Sequence, residues 1–146
     1  MKTSILIAVF FLTSMNAATA ENSETNKRLY QSCSGCHGVN GEGNESLNAP
    51  ALSIFSTWYL ERQIRSFNEG LRENHPGGDL LSINDEDIQP LADYIAEKTS
   101  VSSKPTIQGD IERGEFVYQH CLSCHGEYAE GDEDVRTPRL SGQYDW

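Results

Sequence analysis

Apolar positions along the chain fall into two kinds of pattern. Residues 5–12 form one unbroken apolar run, with Lys2 ahead of it and the small residues Ala18-Thr19-Ala20 behind it. Further on, the apolar positions are spaced as on a helix. Trp58, Tyr59, Leu60, Ile64 and Phe67 recur at helical intervals up to Asn68, and Gly70 stands where a left-handed C-terminal cap is expected. Ile88, Leu91, Ala92 and Ile95 mark one buried stripe of a second helix ending near Lys98, and Asn84 with Asp87 three residues on resembles a capping box at its start. Two shorter helices are expected to lead into the cysteine pairs, the first capped by Asn22 or Ser23 and the second by Asp110. No segment alternates with period two. Loops rich in Gly, Asn and Glu, at residues 38–48 and 127–136, separate the helices. The predicted fold class is all-α.

A shift of 88 residues lays Leu29–Trp58 over Val117–Trp146 without a gap, and 13 of the 30 positions are identical. The identities include Tyr30 and Tyr118, both cysteine pairs, His37 and His125, Gly43 and Gly131, Pro50 and Pro138, and Trp58 and Trp146. Such gapless self-similarity indicates tandem duplication. The second copy reaches only the point where the first begins its next helix, so one unit is expected to be whole and the other incomplete. Residues 99–106 are small and polar with one proline, the composition of a linker. The expected organisation is a leader at 1–20, a first domain at 21–99, a linker at 100–108 and a partial second domain at 109–146.

The initial apolar run is too short for a stable membrane span, and with its basic start and small-residue end it reads as a secretory signal cleaved after Ala20. Removing it leaves 10 basic and 22 acidic residues among 126, a net charge of −12, with about a third of the positions hydrophobic. That charge opposes binding to nucleic acid or anionic lipid, and the basic residues are too scattered to form a patch. The remaining chain offers no second membrane-length apolar run. So few apolar residues make a poor core for two domains, which a bound cofactor would supplement.

Export places the four cysteines in an oxidising compartment, and they occur as Cys33-Ser34-Gly35-Cys36-His37 and Cys121-Leu122-Ser123-Cys124-His125. The form Cys-x-x-Cys-His marks covalent haem attachment: two thiols with two residues between them add across the vinyl groups of one porphyrin, and the next residue supplies an imidazole to iron. The 84 residues between Cys36 and Cys121 are far more than a zinc ribbon uses, which is roughly 15–20. A thioredoxin-like pair needs a βαβ setting that this pattern lacks, and simple disulfides leave the repeated His unexplained. Two covalently bound haem c groups are therefore expected, with Cys33, Cys36, Cys121 and Cys124 as thioether sites and His37 and His125 as axial ligands.

With these motifs, Pro50-x-Leu52, Pro138-x-Leu140 and Ser141-Gly142-Gln143, the chain resembles the class I cytochrome c family, and within it the dihaem cytochrome c4-type proteins. Phe67, Gly70 and Arg72 match a stretch of that family, and Asp85–Ile88 with Leu91, Ala92 and Tyr94 resembles its final helix. The resemblance implies tandem haem domains in the periplasm. It also implies that the carbonyls of Pro50 and Pro138 accept the Nδ1–H of His37 and His125, fixing ring plane and tautomer; turn shaping alone is the alternative use of these prolines.

The family's sixth ligand is a Met between the Arg and the final helix, and here that segment has none: Met1 and Met15 both lie in the leader. His75 stands near the missing position and is the candidate substitute; the alternatives are an open or water-bound iron or some other ligand, with His75 part of a solvated turn. Imidazole in place of thioether should lower the potential. His120 directly precedes Cys121 and is expected on the surface, so the second haem has no evident sixth ligand: either the chain is a shortened version of a longer one, or that iron is exposed and five-coordinate. The acidic residues Glu127, Glu130, Asp132, Glu133 and Asp134 read as a docking patch for a basic partner or as a solvated loop. Trp58, Tyr59 and Phe67 read first as packing around the haem and second as an electron path.

The function implied is an electron carrier between redox proteins, a membrane donor complex on one side and an oxidase or reductase on the other. The alternative is the haem subunit of an oxidoreductase, as in sulfide dehydrogenases, or a peroxidase or gas-binding protein using an open iron, for which only His75 is a candidate distal group.

Overall fold

The computed structural model describes residues 23–73, 75–76, 82–99 and 104–146. The expected leader and Asn22 lie outside the described residues, as does the start of the expected linker, residues 100–103. Helix α1 covers residues 23–37. It is followed by a short 3-10 turn at Glu45–Leu47 and then by α2 (Thr57–Asn68), α3 (Asp85–Ala96), α4 (Ile111–Tyr118) and α5 (Leu122–His125). Among the described residues there are no strands, only two isolated antiparallel bridges, Asn44 with Ala49 and Asp132 with Thr137, at the same place in each copy.

The end of α2 follows from its glycine. Gly70 adopts φ +68°, and the Gly70 and Leu71 amides donate back to the carbonyls of Phe67 and Ser66. Acceptors left open by the last turn are thereby used. At the start of α3 the expected capping box takes another form. Asn84 occupies the cap position, but its side chain makes no bond to the helix backbone; its amide reaches the Asp87 carboxylate at 3.1 Å instead. The Asp87 amide is already satisfied by the Asn84 carbonyl at 2.9 Å, so the side chain is not needed there. At α4, Asp110 caps as expected, its carboxylate accepting the Arg113 amide at 2.9 Å.

The core belongs to the first copy. Tyr30 of α1, Leu60 and Ile64 of α2, Ile83, and Ile88, Leu91, Ala92 and Ile95 of α3 form one buried cluster, with Leu29, Cys33 and Leu52 packed at its edge. The Asn68 side chain donates to the Ile83 carbonyl at 2.6 Å, holding the entry to α3 against the end of α2. Arg65 meets Glu61 of its own helix at 3.1 Å and Asp85 of α3 at 3.3 Å; both contacts are exposed enough to be worth under about 1 kcal/mol.

Neither α4 nor α5 contributes a buried residue. Val117 and Leu140, the counterparts of Leu29 and Leu52, are half exposed. Where α1 runs unbroken to His37, the second copy is interrupted at residues 119–121 by i→i+3 bonds from His120 to Val117 and from Cys121 to Tyr118. A short helix without an apolar face packed against a neighbour has little to hold its last turn in α geometry.

The second copy is nevertheless docked on the first. Gln143 pairs with the backbone of Ala51, the Tyr144 hydroxyl donates to the Glu42 carbonyl at 2.8 Å, and the Arg136 guanidinium lies 5.9 Å from the Trp58 ring centre.

Candidate functional site

Each copy builds the same small scaffold around one histidine. The His37 Nδ1–H donates to the Pro50 carbonyl at 2.8 Å, and the His125 Nδ1–H to the Pro138 carbonyl at 2.9 Å. A carbonyl only accepts, so in both rings Nδ1 carries a proton, and the neutral form of each ring has its lone pair on Nε2. His37 is 8% exposed, buried with its one fixed nitrogen turned to the loop.

The loop reaches the histidine because glycine lets it fold back. Gly43 has φ +84°, and a Cβ there would lie 2.8 Å from the Ala49 oxygen and 2.9 Å from the Pro50 carbonyl carbon. Gly131, at φ +76°, has the same relation to Thr137 and Pro138, with distances of 2.6 and 2.7 Å. Only a residue lacking Cβ permits this approach. The Gly43 and Gly131 amides each donate at 2.8 Å to the carbonyl of the histidine in the same copy, closing the loop onto it.

A tyrosine seven residues earlier in each copy completes the scaffold. The Tyr30 hydroxyl donates to the Gly38 carbonyl at 2.6 Å, and Tyr118 to Gly126 at 2.7 Å. Burial pushes the Tyr30 hydroxyl well above the usual phenol range, so it stays a donor. Sequence reasoning noted these tyrosines only as repeat identities and missed their role. The signal was a Tyr and a Gly kept eight residues apart in both copies.

No disulfide joins any of the four cysteines; Cys33 and Cys121 are partly buried and Cys36 and Cys124 exposed. Burial pushes the Cys33 thiol up, opposed by its contact with the Ser32 hydroxyl. Among the described residues no three His, Cys, Asp or Glu side chains gather as a metal cluster, and the two cysteine pairs stay with their own histidines.

His75 does come to the first site. Its ring lies 6.1 Å from that of His37, centre to centre, with 26° between the planes, and it packs edge-on against Phe67 at 4.8 Å. Arg72 covers the same Phe67 at 4.5 Å. Burial lowers the His75 pKa, and His37 and Arg72 add to the effect, favouring the neutral ring. Among the described residues no ring packs on His125 in this way, and His120 is exposed, as expected from its place before Cys121. Trp58 is buried, while Tyr59 and Phe67 are half-buried. In the acidic loop, Glu130 and Asp132 are engaged locally, accepting the amides of Tyr128 and Asp134.

The family model for cytochrome c matches residues 23–98, about half of the chain. The chain belongs to the cytochrome c family. It is 31% identical over 128 residues to the thiosulfate dehydrogenase electron acceptor of Thiomonas intermedia (strain K12), an alignment covering 77% of this chain and 57% of that protein. It is 29% identical over 123 residues to the cbb3-type cytochrome c oxidase subunit FixP of Sinorhizobium medicae (strain WSM419), covering 75% of this chain and 40% of that one. The chain thus spans 57% and 40% of the length of these two relatives. In fold it is similar to reduced recombinant cytochrome c4 from Pseudomonas stutzeri, with a TM-score of 0.71 at 22% identity, covering 83% of this chain and 73% of that one. A cytochrome c domain carries covalently bound haem c, and the helical, strand-free architecture of the described residues is that of the cytochrome c4 fold.

Proposed function

We propose that the chain is an exported dihaem cytochrome c that passes single electrons between protein partners. The observation that carries the reading is the repeated unit itself: two cysteines outside any disulfide, then an imidazole whose Nδ1 is bound by a proline carbonyl and whose Nε2 remains for a metal, built twice at an offset of 88 residues. In this reading Cys33 and Cys36 hold one haem and Cys121 and Cys124 the other, with His37 and His125 as axial ligands oriented by Pro50 and Pro138. A bound haem iron supplies one-electron redox chemistry by cycling between its ferric and ferrous forms.

The chain's own residues set the conditions for that chemistry. Pro50 and Pro138 hold each imidazole in one tautomer and one plane and raise its basicity. His75 is the sixth ligand at the first site. The two rings, 6.1 Å apart centre to centre, would both be at hand to hold a metal placed between them. Phe67 and Arg72 cover the His75 side, which limits water at the first site.

The two relatives are named as the electron acceptor of a dehydrogenase and a subunit of an oxidase. Both names support a role in which electrons are received from one redox protein and delivered to another, with the exported compartment, the periplasm, as the location. No described helix is long and apolar enough to cross a membrane. Quantitative haem analysis tests the proposal: two haems per polypeptide, both reducible, are expected, and fewer than two would contradict it. His75→Ala should turn one low-spin haem high-spin and open it to carbon monoxide, whereas an unchanged spectrum would remove His75 as a ligand.

A further inference from the structure

The Pro50 carbonyl that accepts the His37 proton belongs to the same peptide group as the Ala51 amide. That amide does not point to solvent or to its own copy. It donates at 3.0 Å to Oε1 of Gln143, ninety-two residues away, while Nε2 of Gln143 donates at 2.9 Å to the Ala51 carbonyl. Ala51 is 1% exposed, so without Gln143 both of its backbone groups would be buried and unpaired. One continuous chain of hydrogen bonds therefore runs from Gln143 Oε1 through the Pro50–Ala51 peptide to His37 Nδ1.

We infer that Gln143, contributed by the second copy, is a positioning residue that strengthens the bond from His37 to Pro50 and thereby lowers the reduction potential of the haem held by the first copy. An acceptor on the amide side of a peptide polarises it and makes its carbonyl a better acceptor, because bonds in series reinforce one another. A stronger acceptor draws the Nδ1 proton away from the ring, gives the imidazole more anionic character and favours ferric over ferrous iron.

The second copy is an internal control. The position matching Ala51 is Arg139, whose amide has no hydrogen-bond partner among the described residues. The position matching Gln143 is Phe55, which has no amide to offer. The two histidines therefore share the proline bond at nearly equal length, 2.8 and 2.9 Å, and differ in what stands behind it.

The inference rests on haem being bound at both sites, so haem content of the purified protein is measured first. In Gln143→Met, which keeps the length and loses both polar atoms, the potential of the first haem should rise. Its reduction equilibrium should change by up to about tenfold, equivalent to about 59 mV for a one-electron couple. The His37 ring Nδ1–H resonance of the reduced protein should move upfield, with the His125 resonance and potential unchanged. The two waves are assigned by which histidine's resonances shift as each is titrated. Gln143→Glu restores an acceptor, now anionic, and should move the His37 resonance downfield. Tyr144→Phe removes the neighbouring bond to Glu42 without touching the Pro50–Ala51 peptide and should leave both His37 values where they were. Equal movement of both haems in Gln143→Met would overturn the inference, as would an effect of Tyr144→Phe as large as that of Gln143→Met. A haem-loaded Gln143→Met protein with an unmoved His37 resonance and potential would overturn it while leaving the proposed function standing. A chain that never carries haem defeats both.

Discussion

Removing one oxygen atom from Tyr30 tests whether the scaffold around the first histidine is held as described. Tyr30→Phe keeps the ring, and with it the contact to Tyr94 at 5.8 Å and the position of the Lys98 ammonium 4.5 Å from the ring centre. The 2.6 Å bond to the Gly38 carbonyl is lost, and with it the oxygen that the Gly41 amide meets. A typical neutral hydrogen bond contributes about 0.5–1.5 kcal/mol net, and a buried acceptor left alone costs about 1–3 kcal/mol. Gly38 is not left alone, because its carbonyl also accepts the Gly41 amide at 3.2 Å. The loss should therefore lie near the lower figures, about 1 kcal/mol, equivalent to a drop of roughly 4–8 °C in the melting temperature of a domain this small. Tyr118→Phe removes the matching 2.7 Å bond to Gly126 in the copy that lacks a buried core, where water can replace it, and should cost less. Urea unfolding of the two haem-loaded variants, followed by far-ultraviolet circular dichroism, measures both. A neutral Tyr30→Phe, or a Tyr118→Phe more damaging than Tyr30→Phe, would refute the reasoning.

Other expectations follow from the same packing. Leu91→Ala, at a fully buried position of α3, should cost about 2–5 kcal/mol in a thermal melt, and a cost below 1 kcal/mol would show that the cluster of α1, α2 and α3 is not the core. Gly43→Ala should displace the loop carrying Pro50 and add the penalty of a left-handed conformation, about 1–2 kcal/mol, whereas Gly70→Ala, whose Cβ meets nothing within 4 Å, should cost the conformational penalty alone. The Asp145 carboxylate accepts the Ile107 and Thr106 amides and the Thr106 hydroxyl, which hold it below its ordinary 3.8. Its tie is therefore present above that value and lost as pH falls below it; the Thr106 and Ile107 amide shifts should titrate there and stay flat in Asp145→Asn.

Much of the fold was legible because local physics and burial agree. The stripe Ile88, Leu91, Ala92 and Ile95 is the buried face of α3, and Gly70 and Asp110 end and begin helices as their chemistry requires. The shift of 88 residues reappears as matching hydrogen bonds at Tyr30 and Tyr118, Gly43 and Gly131, and Pro50 and Pro138. The capping box at Asn84 was misjudged because residue types indicate a cap position without saying which partner the side chain takes. The break at residues 119–121 depends on what α4 lacks around it, which no local pattern reports. The pairing of Gln143 with Ala51 joins residues ninety-two apart, and neither neighbourhood hints at the other.

Intact mass spectrometry of protein from an exporting, haem-maturing host tests the central claim most directly. The account predicts that the wild-type chain carries the mass of two covalent haems, and that Cys33→Ala/Cys36→Ala and Cys121→Ala/Cys124→Ala each lose one. A wild-type mass equal to that of the bare polypeptide would contradict it.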